Sequence, residues 1–163
     1  MLDDAIAQSG RRIGVLVLTY PLNNACNPNS GPPDPGFERA CDLAALAHAV
    51  KMIDPSKSTA LHDWLFDNQP AIRDGSLTMD HAIAEASNLV DHDRLIQHLA
   101  DDERAPTHVR VDIDRSRRLF PQRLPLPMMV MHSEAIRMPP TAEDLAAVLR
   151  QAVRPAPTPA PRN

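Results

Sequence analysis

Apolar residues follow two rhythms along the chain. From Ile13 to Leu18 they are nearly continuous and mostly β-branched (Ile13, Val15, Leu16, Val17, Leu18), which suits a strand buried on both faces, as in a parallel sheet. Tyr20-Pro21 ends that run, because proline has no N–H for a ladder and restrains the residue before it. After a loop rich in Asn, Pro and Gly, the spacing becomes helical. Asp34-Pro35 reads as an N-cap followed by a first-turn proline. It opens a helix from Pro35 to about Ile53 that is apolar on most sides and so belongs in the middle of the domain. Asp54-Pro55 repeats the signal for a helix to about Asp67, with Leu61, Trp64, Leu65 and Phe66 as the densest apolar cluster.

Asn68 to Ser76 reads as a loop. Thr78 and Asp91 cap two further helices, one with Met79, Ile83, Ala86 and Val90 at helical spacing, the other with Leu95, Ile96 and Leu99. Thr107 to Phe120 fits two patterns: Val109, Val111 and Ile113 alternate as in a strand, while Val109, Ile113 and Phe120 share a helical face. Leu126 to Met131 is a second strand signal, with Ala135 to Met138 as a hairpin partner, and Thr141 caps an amphipathic closing helix. At the other end, Leu2 to Gln8 is helical in composition and Ser9-Gly10 is its stop.

Composition narrows the class. The chain has 163 residues, 43% apolar and 23% charged, enough for one ordinary globular domain with a real core. Aromatics are only 3%, so Leu, Val, Ile, Met and Ala must fill that core. A net charge of −4 gives no electrostatic reason to expect a nucleic-acid partner. No apolar run reaches the roughly 18–20 residues of a membrane helix. MLDDAIAQSG has neither the basic nor the apolar region of a signal peptide, and PAPTPAPRN from Pro155 reads as an extended or disordered tail.

Two cysteines, Cys26 and Cys41, lie fifteen residues apart and leave three readings open: a redox pair that relays electrons, a disulfide stapling loop to helix, or two separate thiols. A staple closing about 15 residues contributes roughly 3 kcal/mol in the chain-entropy model and needs an oxidising compartment. The histidines give no closed metal-ligand set: His81, His92 and His98 lack metal spacing with each other or with cysteine, and His62-Asp63 before Trp64 reads as a hydrogen-bonded core histidine. No G-x-S-x-G elbow supports a Ser–His–Asp triad. Arg115, Arg117, Arg118 and Arg123 are offset by Asp112 and Asp114, as on a solvated helix face.

The order of these elements, together with TYPLNNACNP, Ala40-Cys41 followed by LAALAHAV, LHDWLF at 61–66 and LPLPMM, resembles the thioredoxin-like, DsbA-type domains associated with vitamin K epoxide reductase-type membrane proteins. The resemblance implies an α/β fold with a helical insertion over residues 1–153 and a Pro/Ala-rich tail over 154–163. It implies helix for 107–120, a cis-proline loop at Leu126-Pro127, protein-thiol or membrane redox partners, and an extracytoplasmic setting. It implies no cofactor. The family's C-x-x-C and the strand before it are absent, which implies an incomplete reading frame, a degenerate paralogue, or a sheet completed by a strand from elsewhere. The functional expectation is therefore a thiol–disulfide oxidoreductase-like domain unable to exchange dithiols as it stands. The rival expectation is a non-catalytic peptide- or protein-binding scaffold.

Overall fold

The computed structural model describes residues 2–10, 13, 18–32, 34–101, 104–119, 128–131, 134–137 and 141–152, which fall in two compact units, 18–118 and a second that joins 1–17 to 119–163. These residues correct the expected α/β thioredoxin-like class. They build a mainly helical structure, and among them no parallel or mixed sheet occurs. The sole ladder they contain is an antiparallel hairpin, β1 (Met128–Met131) with β2 (Glu134–Arg137), in which Met128 faces Arg137 and Met131 faces Glu134. Ile13 and Leu18 have no regular structure, and 14–17, the middle of the expected parallel strand, lie outside the described residues. The physical reason for the correction is local. Between residues 34 and 119 the apolar residues of the described core recur at helical spacing, and Asp34, Asp54, Thr78 and Asp91 start helical turns there with side-chain caps, so helix packing satisfies both backbone and core without a sheet.

In the 18–118 unit, α2 (Ala40–Ile53) is the axis. Leu43, Ala44, Leu46, Ala47, Ala49 and Val50 are all buried, which places apolar residues on two faces of one helix. One face meets Leu61 of α3 (Ser58–Asp67), Ala82 and Ala86 of α5 (Met79–Leu89), and Leu95 of α6 (His92–Ala100). The other presents Ala44 to Val109 and Ile113 of α7 (Arg104–Leu119), with Tyr20 against them. Alanines at 44, 47 and 49 keep α2 slim enough for neighbours to approach from both sides. The α7 helix resolves the 107–120 ambiguity. Val109, Ile113 and Ser116 are buried at helical spacing while Val111 is 40% exposed, the reverse of strand alternation.

Connections are short because single residues serve two elements. Asp54 closes α2 through its N–H to the Val50 carbonyl at 2.9 Å and opens the next turn, a 3-10 segment over Pro55–Lys57, by accepting the Ser56 N–H at 2.9 Å. Asn68 likewise ends α3 and begins α4 (Gln69–Arg73), a helix standing where the sequence reads as loop. Its backbone and side-chain N–H groups both reach the Trp64 carbonyl, at 3.0 and 2.8 Å. Phe66, expected in the apolar cluster, is 69% exposed, because Leu61, Trp64 and Leu65 take the inward face of α3.

The second unit has its own small core. Ala5 of α1 (Leu2–Ser9) packs on Leu145, Ala146 and Leu149 of α8 (Ala142–Ala152), with Ile6 and Ile13 beside them. Gly10, at φ 65°, takes the left-handed conformation that stops α1, and Arg150 Nη1 donates to the Gln8 carbonyl at 3.1 Å, satisfying one of the carbonyls left over at that end. Thr141 caps α8 by accepting the Asp144 N–H at 3.1 Å and donating to Asp144 Oδ2 at 2.7 Å.

Candidate functional site: a stapled asparagine loop

Cys26 and Cys41 are joined by a disulfide with their Cα atoms 5.9 Å apart, inside the usual span for such bonds. Cys41 is the second residue of α2 and Cys26 lies in the irregular segment 21–31, so the bond ties a surface loop to the first turn of the central helix. Both cysteines are half-buried, and no free cysteine exists among the described residues.

The bond is one of two ties. Asn23 supplies the second, with its carboxamide in full use. Nδ2 donates to the Phe37 carbonyl at 3.1 Å and the Glu38 carbonyl at 2.7 Å, while Oδ1 accepts the Ala25 N–H at 2.8 Å. The Asn23 carbonyl accepts the Asn27 N–H at 2.9 Å and stands 3.8 and 3.9 Å from the sulfurs of Cys26 and Cys41. A disulfide has no S–H, so in the oxidised chain those two approaches are contacts rather than hydrogen bonds.

Asn27 is fully buried and organises the rest of the loop. Its Nδ2 donates to the Pro21 carbonyl at 2.8 Å, and its Oδ1 accepts both the Asn29 N–H at 3.1 Å and Asn29 Nδ2 at 3.3 Å. Its own carbonyl accepts the Ser30 N–H at 3.0 Å. Gly31 then turns the chain at φ 91°, where a Cβ would be strained. A short asparagine suits such work, because its amide satisfies backbone groups two residues away that no sheet or helix reaches.

The receiving end is held just as firmly. Asp34 accepts the Gly36 N–H at 2.8 Å and starts a 3-10 turn over Pro35–Phe37, so the helix expected from Pro35 is broken before Ala40. Arg73 stacks on the Phe37 ring with its guanidinium carbon 5.4 Å from the centroid, and Arg39 Nη1 donates to the Leu77 carbonyl at 2.7 Å. The α2 entrance is thus fixed to the α4 end and to the segment before α5. The loop leans on a rigid base.

The other candidate residues take structural places. Leu126 and Pro127 lie outside the described residues. Among the described residues no group of three His, Cys, Asp or Glu is placed to hold a metal ion. His92 Nδ1 is 2.9 Å from Ser87 Oγ, and His62 is half-buried, with burial first and the Lys51 charge second holding its pKa below the ordinary value. Asp112 pairs with Arg115 at 3.8 Å but is itself mostly covered. Its Oδ2 accepts the Thr19 N–H at 3.1 Å, so it anchors the start of the loop segment to α7 rather than standing on a solvated face. No helix among the described residues is long and apolar enough to cross a membrane.

Asn23 and Asn27 are the functional positions that pattern reading passes over. Their signal is four asparagines within residues 23–29 around Cys26, with a proline directly after the buried one, a composition that marks a loop but not its bonding. No family model, curated protein or solved structure matches the chain, so the resemblance to thioredoxin-like domains rests on the quoted residues alone.

Proposed function

We propose that the 18–118 unit is a non-catalytic protein- or peptide-binding module that presents the stapled loop, and that it does not catalyse dithiol exchange. The observation that carries the reading is the double tie of the loop: a disulfide and the Asn23 carboxamide fix it to the entrance of a buried helix. Exposed on the loop's outer side are Asn24, Ala25, Pro28, Asn29, Gly31 and Pro32, small or amide-bearing groups rich in donors and acceptors. A loop ordered before binding loses little conformational entropy on contact, which favours recognition by backbone-like hydrogen bonds. In the C-x-x-C pattern of dithiol exchange the two thiols share one helical turn, whereas the two cysteines of this sequence lie fifteen residues apart in a bond that ties a loop to a helix. The reading implies service in an oxidising compartment, where such a bond persists.

Two measurements test it. Insulin reduction by the chain should match that of the C26A/C41A variant, and turnover clearly above that background refutes the non-catalytic part. Peptides selected from a random displayed library on the oxidised chain should lose binding when residues 24–32 are replaced by a Gly/Ser linker. A selection yielding only binders indifferent to that replacement refutes the loop as the binding surface.

A further inference from the structure

We infer that the disulfide is self-restoring, with Asn23 as the positioning residue that keeps Cys26 beside Cys41 after the bond is reduced. A structural disulfide commonly holds a loop that has no other reason to stay in place. Here the loop has one. The Asn23 carboxamide bonds to the Phe37 and Glu38 carbonyls and to the Ala25 N–H, and none of these three bonds passes through sulfur. Asn27, buried one residue beyond Cys26, fixes the far side through Pro21 and Asn29 in the same way. When the sulfurs become thiols they gain a shared acceptor, because the Asn23 carbonyl already lies 3.8 and 3.9 Å from them, within reach of a weak S–H donor.

The chemistry balances with a dithiol as reductant. One of its thiolates attacks Cys26 Sγ, the bond between Cys26 and Cys41 breaks, and the electron pair leaves on Cys41 Sγ. That sulfur sits in the first turn of α2, where the helix N–H groups stabilise a thiolate. The second thiolate of the reductant then attacks its own sulfur in the mixed disulfide, releasing Cys26 as thiolate and closing the reductant's disulfide. Two electrons and two protons have passed to the chain. With oxidised glutathione the sequence runs backwards, Cys26 forming the mixed disulfide and Cys41 resolving it. Resolution is fast only if Asn23 has kept the two sulfurs together. The inference stands whatever the loop binds.

The test uses the full chain in glutathione redox buffers, with the oxidised fraction counted by mass after alkylation. This gives the effective concentration of one cysteine at the other. For an unstructured loop of this length that quantity is on the order of millimolar. The native chain should exceed the same chain in guanidinium by about a hundredfold or more. N23A and N23D, which remove both donors to Phe37 and Glu38, should lower the native value by about tenfold, in line with two lost hydrogen bonds. N24A, at the exposed neighbour, should leave it unchanged. A native value no higher than in guanidinium overturns the inference without any variant. So does an N23A value within about twofold of wild type, since two hydrogen bonds to the loop would then do no positioning.

Discussion

Removing the staple offers the sharpest test of how the 18–118 unit is held. In C26A/C41A every helix keeps its core, because neither cysteine belongs to an apolar cluster, so the loss falls on chain entropy. A closed loop of about 15 residues restricts the unfolded chain by roughly 3 kcal/mol. The unit spans residues 18–118, and a domain of about a hundred residues has an unfolding entropy near 0.2 kcal/mol/K, which converts that loss into a fall in melting temperature of about 15 °C. Differential scanning calorimetry of the oxidised chain, the same chain with reductant, and the double variant should show the last two melting together, well below the first. Helical circular dichroism at room temperature should be the same in all three. The loop amides of Ala25, Asn27 and Asn29 should keep much of their exchange protection in the variant, because their acceptors are Asn23 and Asn27 rather than sulfur. A fall smaller than about 3 °C would refute the assignment, showing that the bond closes no loop the unfolded chain explores freely.

Three further outcomes follow from other parts of the molecule. L46A empties a fully buried position on the axial helix and should lower stability by about 2–5 kcal/mol in urea titration, with a change under about 1 kcal/mol indicating that α2 is not central. T141A removes the α8 cap and should cost about 1 kcal/mol, seen as a lower melting point confined to the unit containing α1 and α8. His62, with its folded pKa depressed by burial and Lys51, binds protons less readily folded than unfolded. Between neutral pH and about pH 5 wild type should therefore lose stability relative to H62Q, and the offset between the two should stay constant above about pH 7.5, where the ring is neutral in both states. Parallel stability curves for the two across that range would refute the assignment.

Much of the helical architecture is legible because its punctuation is chemical. Asp34, Asp54, Thr78, Asp91 and Thr141 each mark a start that the structure places at the cap, with a side-chain oxygen on a backbone N–H two or three residues on. The α2 run reads as central from its alanines and leucines alone. The short α4 escapes notice because Asn68 ends one helix and begins another, and its cue, Pro70 in the first turn, sits in a stretch that otherwise looks like loop. The α/β class failed for a different reason. It rests on a resemblance in the order of elements, and a few apolar residues at 13–18 cannot specify a parallel sheet without visible partner strands. At the candidate site the cysteines are plain in the sequence, but the asparagines that set the loop are not, since hydrogen bonding to carbonyls fourteen and fifteen residues away leaves no periodic trace.

Asp54 makes the passage from α2 to α3 a joint without slack. One residue, extended at φ −148° and ψ 99°, terminates the first helix by its amide and launches the next turn by its carboxylate. The bend from α2 into the 3-10 turn that leads to α3 is therefore made at a single pair of torsions rather than averaged over a linker. Lengthening the corner by even one residue would split those duties between two positions and let Leu61 swing away from Leu46. Evolution or an engineer seeking to reshape this fold would find the corner far less forgiving than the exposed turn around Gly75.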